Sequence, residues 1–162
     1  MKIVVYYGGT DVVEHPLCKV GRANLDFGQG FYVTDIRDQA ITWAHRMADR
    51  RELPPILNRY ILDRGTILAE ARCRILKCYD QEWLEFIMSS RQGVDVGKSY
   101  DYVEGGVAND RIIDTVNLYI AGLVDLNMAL QRLAAHQPNN QMCLLNQLIT
   151  DKFLIFDGTE KI

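Results

Sequence analysis

The chain has 162 residues, 48% of them hydrophobic, and 18 Lys and Arg against 21 Asp and Glu give a formal net charge of -3. That length can bury a core but is too short to expect two independent domains, so one domain over residues 1–162 is expected. A weakly acidic chain without a Lys/Arg block argues against a broad footprint for duplex nucleic acid, while leaving nucleic acid open as a substrate in a local pocket.

Met1–Tyr7 is too short for a signal-peptide core and no apolar run reaches membrane length, so a cytoplasmic protein is expected. Cys18, Cys73, Cys78 and Cys143 are scattered, with no CxxC pair and no Cys/His ligand spacing. Reduced core thiols are therefore expected rather than disulfides, and no metal site.

Lys2–Tyr7 is a β-branched and aromatic run ended by Gly8-Gly9-Thr10, which predicts a buried first strand and a turn. Asp11–Leu25 has no sustained period and reads as a surface connection. Asp26–Asp35 follows, D-F-G-Q-G-F-Y-V-T-D, in which two glycines around Gln29 make a tight loop into the strand-like Phe31, Tyr32 and Val33. Glycine tolerates positive φ and lets a ligand approach the main chain, so the loop reads either as a ligand rim or as a glycine turn entering a strand.

Asp35 can cap a helix over Ile36–Arg50, whose Ala40, Trp43, Ala44 and Met47 share one face. After Pro54-Pro55, Ile56–Leu62 and Thr66–Ala69 suggest a hairpin around Asp63-Arg64-Gly65. Asp80 can cap a helix with an apolar stripe at Trp83, Leu84, Ile87 and Met88, and Gln92–Gly106 leads through a loop into a short strand near Val103. Asn109-Asp110 starts a helix carrying Ile112, Ile113, Val116, Tyr119 and Ile120; Asp125 or Asn127 starts the next, which Pro138-Asn139-Asn140 stops. Gln141–Leu145 and Lys152–Phe156 read as strands, the last ending at Asp157-Gly158.

This order has no repeat and no steady βαβ alternation, which is an α+β pattern. Gly28-Gln29-Gly30 runs into a strand and has Val33 at the third glycine position, so it is not a dinucleotide-binding fingerprint. Asp26-Phe27-Gly28 has too little chain before it for a kinase, and no Walker sequence, serine nucleophile elbow or HExxH is present.

Three separated pieces together resemble the ADP-ribosyltransferase superfamily, and within it a bacterial domain-of-unknown-function family sharing a D-F-G-x-G-F-Y-x-T segment. They are Tyr6-Tyr7-Gly8-Gly9-Thr10, similar to a first-strand His-Gly-Ser/Thr motif; Phe27–Asp35 followed by Ala40 and Trp43-Ala44, similar to a Gly-x-Gly-x-Tyr-Phe segment and its helix; and Asn140-Gln141-Met142-Cys143, similar to the late-strand Asn-Glu or Gln motif. The resemblance implies split mixed and antiparallel β-sheets with flanking helices, and NAD as co-substrate in the cleft between them. It further implies that the Gly8 main chain holds the nicotinamide carboxamide and that Tyr32 stacks on the nicotinamide ring. Tyr7 and Thr10 would hold the adenosine side, Phe31 would support the platform, and Gln141 would orient the reacting ribose. Phe27, Gly30 and Asn109 complete the set expected around the cofactor.

Losing nicotinamide leaves an oxocarbenium-like ribose, which an aromatic platform can position and a fixed acceptor can stabilise. Two positions depart from the family pattern: Tyr7 stands for the His, and Gln141 for the Glu of many transferases. A carboxamide orients a hydroxyl but is no general base, so single transfer is expected rather than chain elongation. Asp110 is the expected acid, with Glu104 and Asp114 as alternatives, although Asn109 and Asp110 also read as ordinary helix capping. The expected activity is mono-ADP-ribosylation of a protein or nucleic-acid acceptor, and family context suggests the toxin of a bacterial toxin and antitoxin pair. The competing expectations are an NAD or nucleotide-binding module without catalysis and an NAD glycohydrolase.

Overall fold

A computed structural model of the chain describes residues 1–22, 25–136 and 139–162. In chain order the elements are β1 (Ile3–Gly9), β2 (Phe31–Val33), α1 (Arg37–Arg51), β3 (Ile56–Leu62), α2 (Arg64–Glu70), β4 (Cys73–Leu76) and α3 (Gln81–Arg91). A short 3-10 turn at Val96–Lys98 precedes β5 (Tyr102–Gly105), α4 (Asp110–Ile120), α5 (Leu126–Ala134), β6 (Gln141–Leu144), α6 (Gln147–Phe153) and β7 (Leu154–Lys161). The fold is α+β, with six α-helices and two sheets among the described residues.

One sheet is antiparallel in the order β1-β3-β7; the other is mixed in the order β2-β6-β5-β4, parallel only between β4 and β5. Strand alternation sends Val5, Tyr60, Phe31, Val33, Tyr102 and Leu144 into a core between the sheets. The opposite face of the mixed sheet buries Val103 and Cys143 beneath Trp83, Leu84 and Ile87 of α3 and Ile112 and Val116 of α4. No helix among the described residues is long and apolar enough to cross a membrane.

Several expectations need correction. The hairpin after Leu62 is a strand followed by a helix, because the Asp63 carboxylate accepts from the Thr66 N–H and starts α2. Gly65 is there for close approach: a Cβ would meet the nitrogen of Met1 at 2.1 Å. Strand β4 and helix α6 carried no recognised signal, although Asn146 caps α6 through the Leu148 and Ile149 N–H groups. β7 begins two residues later than expected and runs through Gly158, whose φ of 110° lies at a bulge opposite Asn58 and Tyr60.

Ile36, not Asp35, is the N-cap of α1; Thr34 Oγ1 accepts from the Ile36 N–H, while Asp35 accepts from Asn140. Asp80, Asn109 and Asp125 cap α3, α4 and α5 as their sequence positions suggest. Pro138, expected to stop α5, lies outside the described residues, as do Ala23 and Asn24 of the first connection. All four cysteines are free, Cys18 and Cys143 buried, Cys73 partly so, and Cys78 exposed rather than in the core.

Candidate functional site

Among the described residues the two sheets meet through one bridge, in which Tyr6 and Thr34 exchange main-chain hydrogen bonds of 2.8 and 3.0 Å. Main-chain groups alternate along a strand, so Gly8 presents its N–H and C=O on the same edge as Tyr6. Continuing the antiparallel register two residues from that bridge sets Gly8 opposite Tyr32, where β2 pairs instead with β6 on its other edge. The sheets therefore part between these two residues. On its face Gly8 takes the main chain of α1, since a Cβ there would lie 1.8 Å from the Ala40 carbonyl oxygen. Ala40, Ala44 and Ala48 are the buried face of α1, small enough for that approach.

Tyr32 is anchored at both ends. Its hydroxyl donates to the Gly28 carbonyl at 2.5 Å and accepts from the Phe27 N–H at 3.1 Å, and its ring lies nearly parallel to that of Phe27, with centroids 6.5 Å apart. Burial pushes the phenol far above its usual range, so it stays neutral. The glycines serve packing rather than an open rim. Gly28 has φ of 91° and a Cβ there would meet Val96 at 2.9 Å; at Gly30 it would meet Cys143 Sγ at 2.5 Å. Phe27 and Phe31 are core residues on opposite faces of the mixed sheet, and Phe31 supports Tyr7 with ring centroids 5.0 Å apart.

Asp26, the first residue of the segment, is a buried junction that the sequence reading passed over. Its Oδ1 accepts from Arg91 Nε and Nη2, and its Oδ2 from the Ala108 N–H at 3.2 Å and from Gln141 Nε2 at 3.3 Å. One carboxylate thus ties the loop to the end of α3, the start of α4 and the first residue of β6. Gln141 is 4% exposed and shares a sheet face with Tyr32, whose cross-strand partner is Cys143.

Asn109 caps α4 by accepting from the Ile112 N–H at 3.1 Å, and Asp110 is exposed in the first turn, where a negative charge complements the helix dipole. The helix-capping reading therefore accounts for Asn109. Of the alternative acids, Asp114 is exposed. Glu104 is buried, accepting from Arg64 at 2.9 Å, the Tyr102 hydroxyl at 3.0 Å and Asn140 at 3.3 Å. Alternation along β5 turns Glu104 away from the face carrying Gln141, which pairs with Gly105.

At the end of β1, Thr10 Oγ1 accepts from Arg51 Nη1 at 3.1 Å, and burial raises the Tyr7 phenol against the opposing pull of the same guanidinium. Arg51 closes α1 and brings a cation to the side assigned to Tyr7 and Thr10, a position that helix periodicity alone did not single out. Two surface clefts among the described residues, of about 630 and 330 Å³, are lined by other residues. Among the described residues no cluster of His, Cys, Asp and Glu is arranged to hold a metal ion.

Two small sheets parting at one bridge, with a motif loop pinned beneath them, define an α+β class by architecture. The chain belongs to the family described as protein of unknown function (DUF3990), whose model matches residues 3–155. A search of curated proteins and a search of solved structures each found no match.

Proposed function

We propose that this chain is an ADP-ribosyltransferase-like NAD enzyme that transfers one ADP-ribose to a protein or nucleic-acid acceptor. The observation that carries the reading is the register across the seam, which faces the edge groups of Gly8 with Tyr32. A strand N–H and C=O side by side match a carboxamide, and the residue opposite in register carries an aromatic ring, which matches a flat heteroaromatic. Arg51 beside Thr10, paired with Asp11 at 3.5 Å, brings a guanidinium to the phosphate side of the dinucleotide. Asp26, itself paired with Arg91, is the carboxylate next to Gln141 and fixes the amide with Nε2 toward itself. The toxin role, with an antitoxin partner, rests on the resemblance alone.

One observation favours a second reading, a module that binds NAD without transfer: the Gln141 amide is buried and already bonded to Asp26. Incubating the purified chain with NAD labelled on the adenylate and a cell lysate separates the readings. Label on macromolecules supports the transferase, free nicotinamide without label transfer a glycohydrolase, and calorimetric binding without turnover the module. Absence of binding overturns all three.

A further inference from the structure

The larger cleft, of about 630 Å³, is lined by Glu14 and Leu17 of the first connection, Asp151 of α6, and Leu154, Ile155 and Phe156 at the start of β7. Three consecutive strand residues point to alternate faces, so a cleft touching all three runs along the strand edge rather than over either face. The hydrogen-bond phase agrees. The Asp63 N–H donates to the Phe153 carbonyl and Ile155 is paired with Ile61, so the groups of Ile155 turn toward β3 and those of Phe156 turn outward. β7 is the last strand of its sheet, and the bulge that ends regular pairing comes only after Phe156. The Leu154 N–H is taken by the Thr150 carbonyl of α6, so the outward groups left for a further strand are the Leu154 C=O and the Phe156 N–H and C=O.

Flanking side chains specify what fits there. Leu17 is 57% and Ile155 55% exposed, and both line the opening. Glu14 and Asp151 supply its carboxylates, the latter also accepting from Gln147 at 2.7 Å, with His15 beside them and no Lys or Arg among the described lining residues. We infer that this edge is a docking site for an extended, basic segment of a partner polypeptide, which adds a short strand beside Leu154–Phe156. An apolar side chain of the segment enters between Leu17 and Ile155, and a neighbouring Lys or Arg pairs with Glu14 and Asp151. Main-chain bonds give such a contact its affinity and alternate side chains its specificity. The site is separate from the Gly8 and Tyr32 seam, and the inference does not depend on the proposed activity.

The test is selection of a displayed library of random seven-residue peptides on the purified full chain. Enriched peptides are expected to alternate β-branched or aromatic residues and to carry at least one Lys or Arg. They should bind at least tenfold more weakly to the Asp151→Lys chain and not measurably to Ile155→Glu, two exposed positions, with thermal unfolding of each variant showing that it is folded at the assay temperature. No enrichment, enrichment of acidic peptides, or peptides that bind both variants undiminished would overturn the inference.

Discussion

Gln141 Nε2 lies 3.3 Å from Asp26 Oδ2, so the amide of the late-strand motif is held by the first residue of the glycine-rich segment, 115 positions earlier. The same carboxylate takes the Arg91 guanidinium and the Ala108 N–H. Removing it leaves a cation and two polar hydrogens without their acceptor.

Asp26→Ala is therefore expected to destabilise the fold by about 2–3 kcal/mol, below the full cost of breaking a deeply buried pair because the Arg91 side chain is 31% exposed. Urea unfolding measures it, and an unchanged midpoint would show that the junction carries no stability.

Gln141→Glu sets a second carboxylate against Asp26. Two like charges then repel where the amide now bonds, an expected penalty of about 1–2 kcal/mol at pH 7 in urea unfolding. Adding Asp26→Asn, which restores one amide and one carboxylate, should remove that penalty in parallel denaturation curves.

Which parts of this arrangement were legible in the sequence follows from the range of the forces involved. Helix starts at Asp80, Asn109 and Asp125 are local, because a side-chain cap reaches only two or three residues along the chain. The β1 and β2 runs were legible for the same reason. The start of α2 was missed because Thr66–Ala69 is short and apolar, a pattern on which periodicity cannot separate strand from helix. β4 has partly buried residues at three of its four positions, which blurs strand alternation. Asp26 was missed as a junction because its partners come from three distant elements; nothing in a local window announces them. The strand that carries Tyr32 was legible, yet the anchorage of its ring by Phe27 and Gly28 emerges only when the loop folds back.

Gly8→Ala should be among the most damaging single-methyl additions, because the new Cβ would lie 1.8 Å from the main-chain oxygen of Ala40. Helix α1 must move, at a cost of about 3 kcal/mol or more. Gly122→Ala offers the contrast: nothing lies within 4 Å and only the φ of 73° opposes it, costing about 1 kcal/mol. Equal unfolding temperatures for the two variants would contradict the close packing of β1 on α1.

Asp101 gives the fold an acid limb. The Arg72 side chain, then the Arg72 N–H and Asn146, hold its carboxyl down at about 2. A pKa lowered on folding contributes stability that is present above the unfolded value near 4 and is lost as pH falls toward 2. With Arg72 54% exposed, solvent screening limits the contribution to about 1–2 kcal/mol. Asp101→Asn should flatten the stability curve between pH 4 and 2, and an unaltered slope would assign the acid limb elsewhere.

NAD is proposed to bind where the sheets part, between Gly8 and Tyr32. Calorimetric titration of NAD into the purified chain, alone and with excess nicotinamide, tests it most directly. The account predicts saturable binding that nicotinamide weakens and that Tyr32→Phe, which frees the ring from Phe27 and Gly28 while keeping its aromatic face, alters in affinity. Absence of heat at millimolar NAD, or binding indifferent to both nicotinamide and Tyr32→Phe, would contradict it.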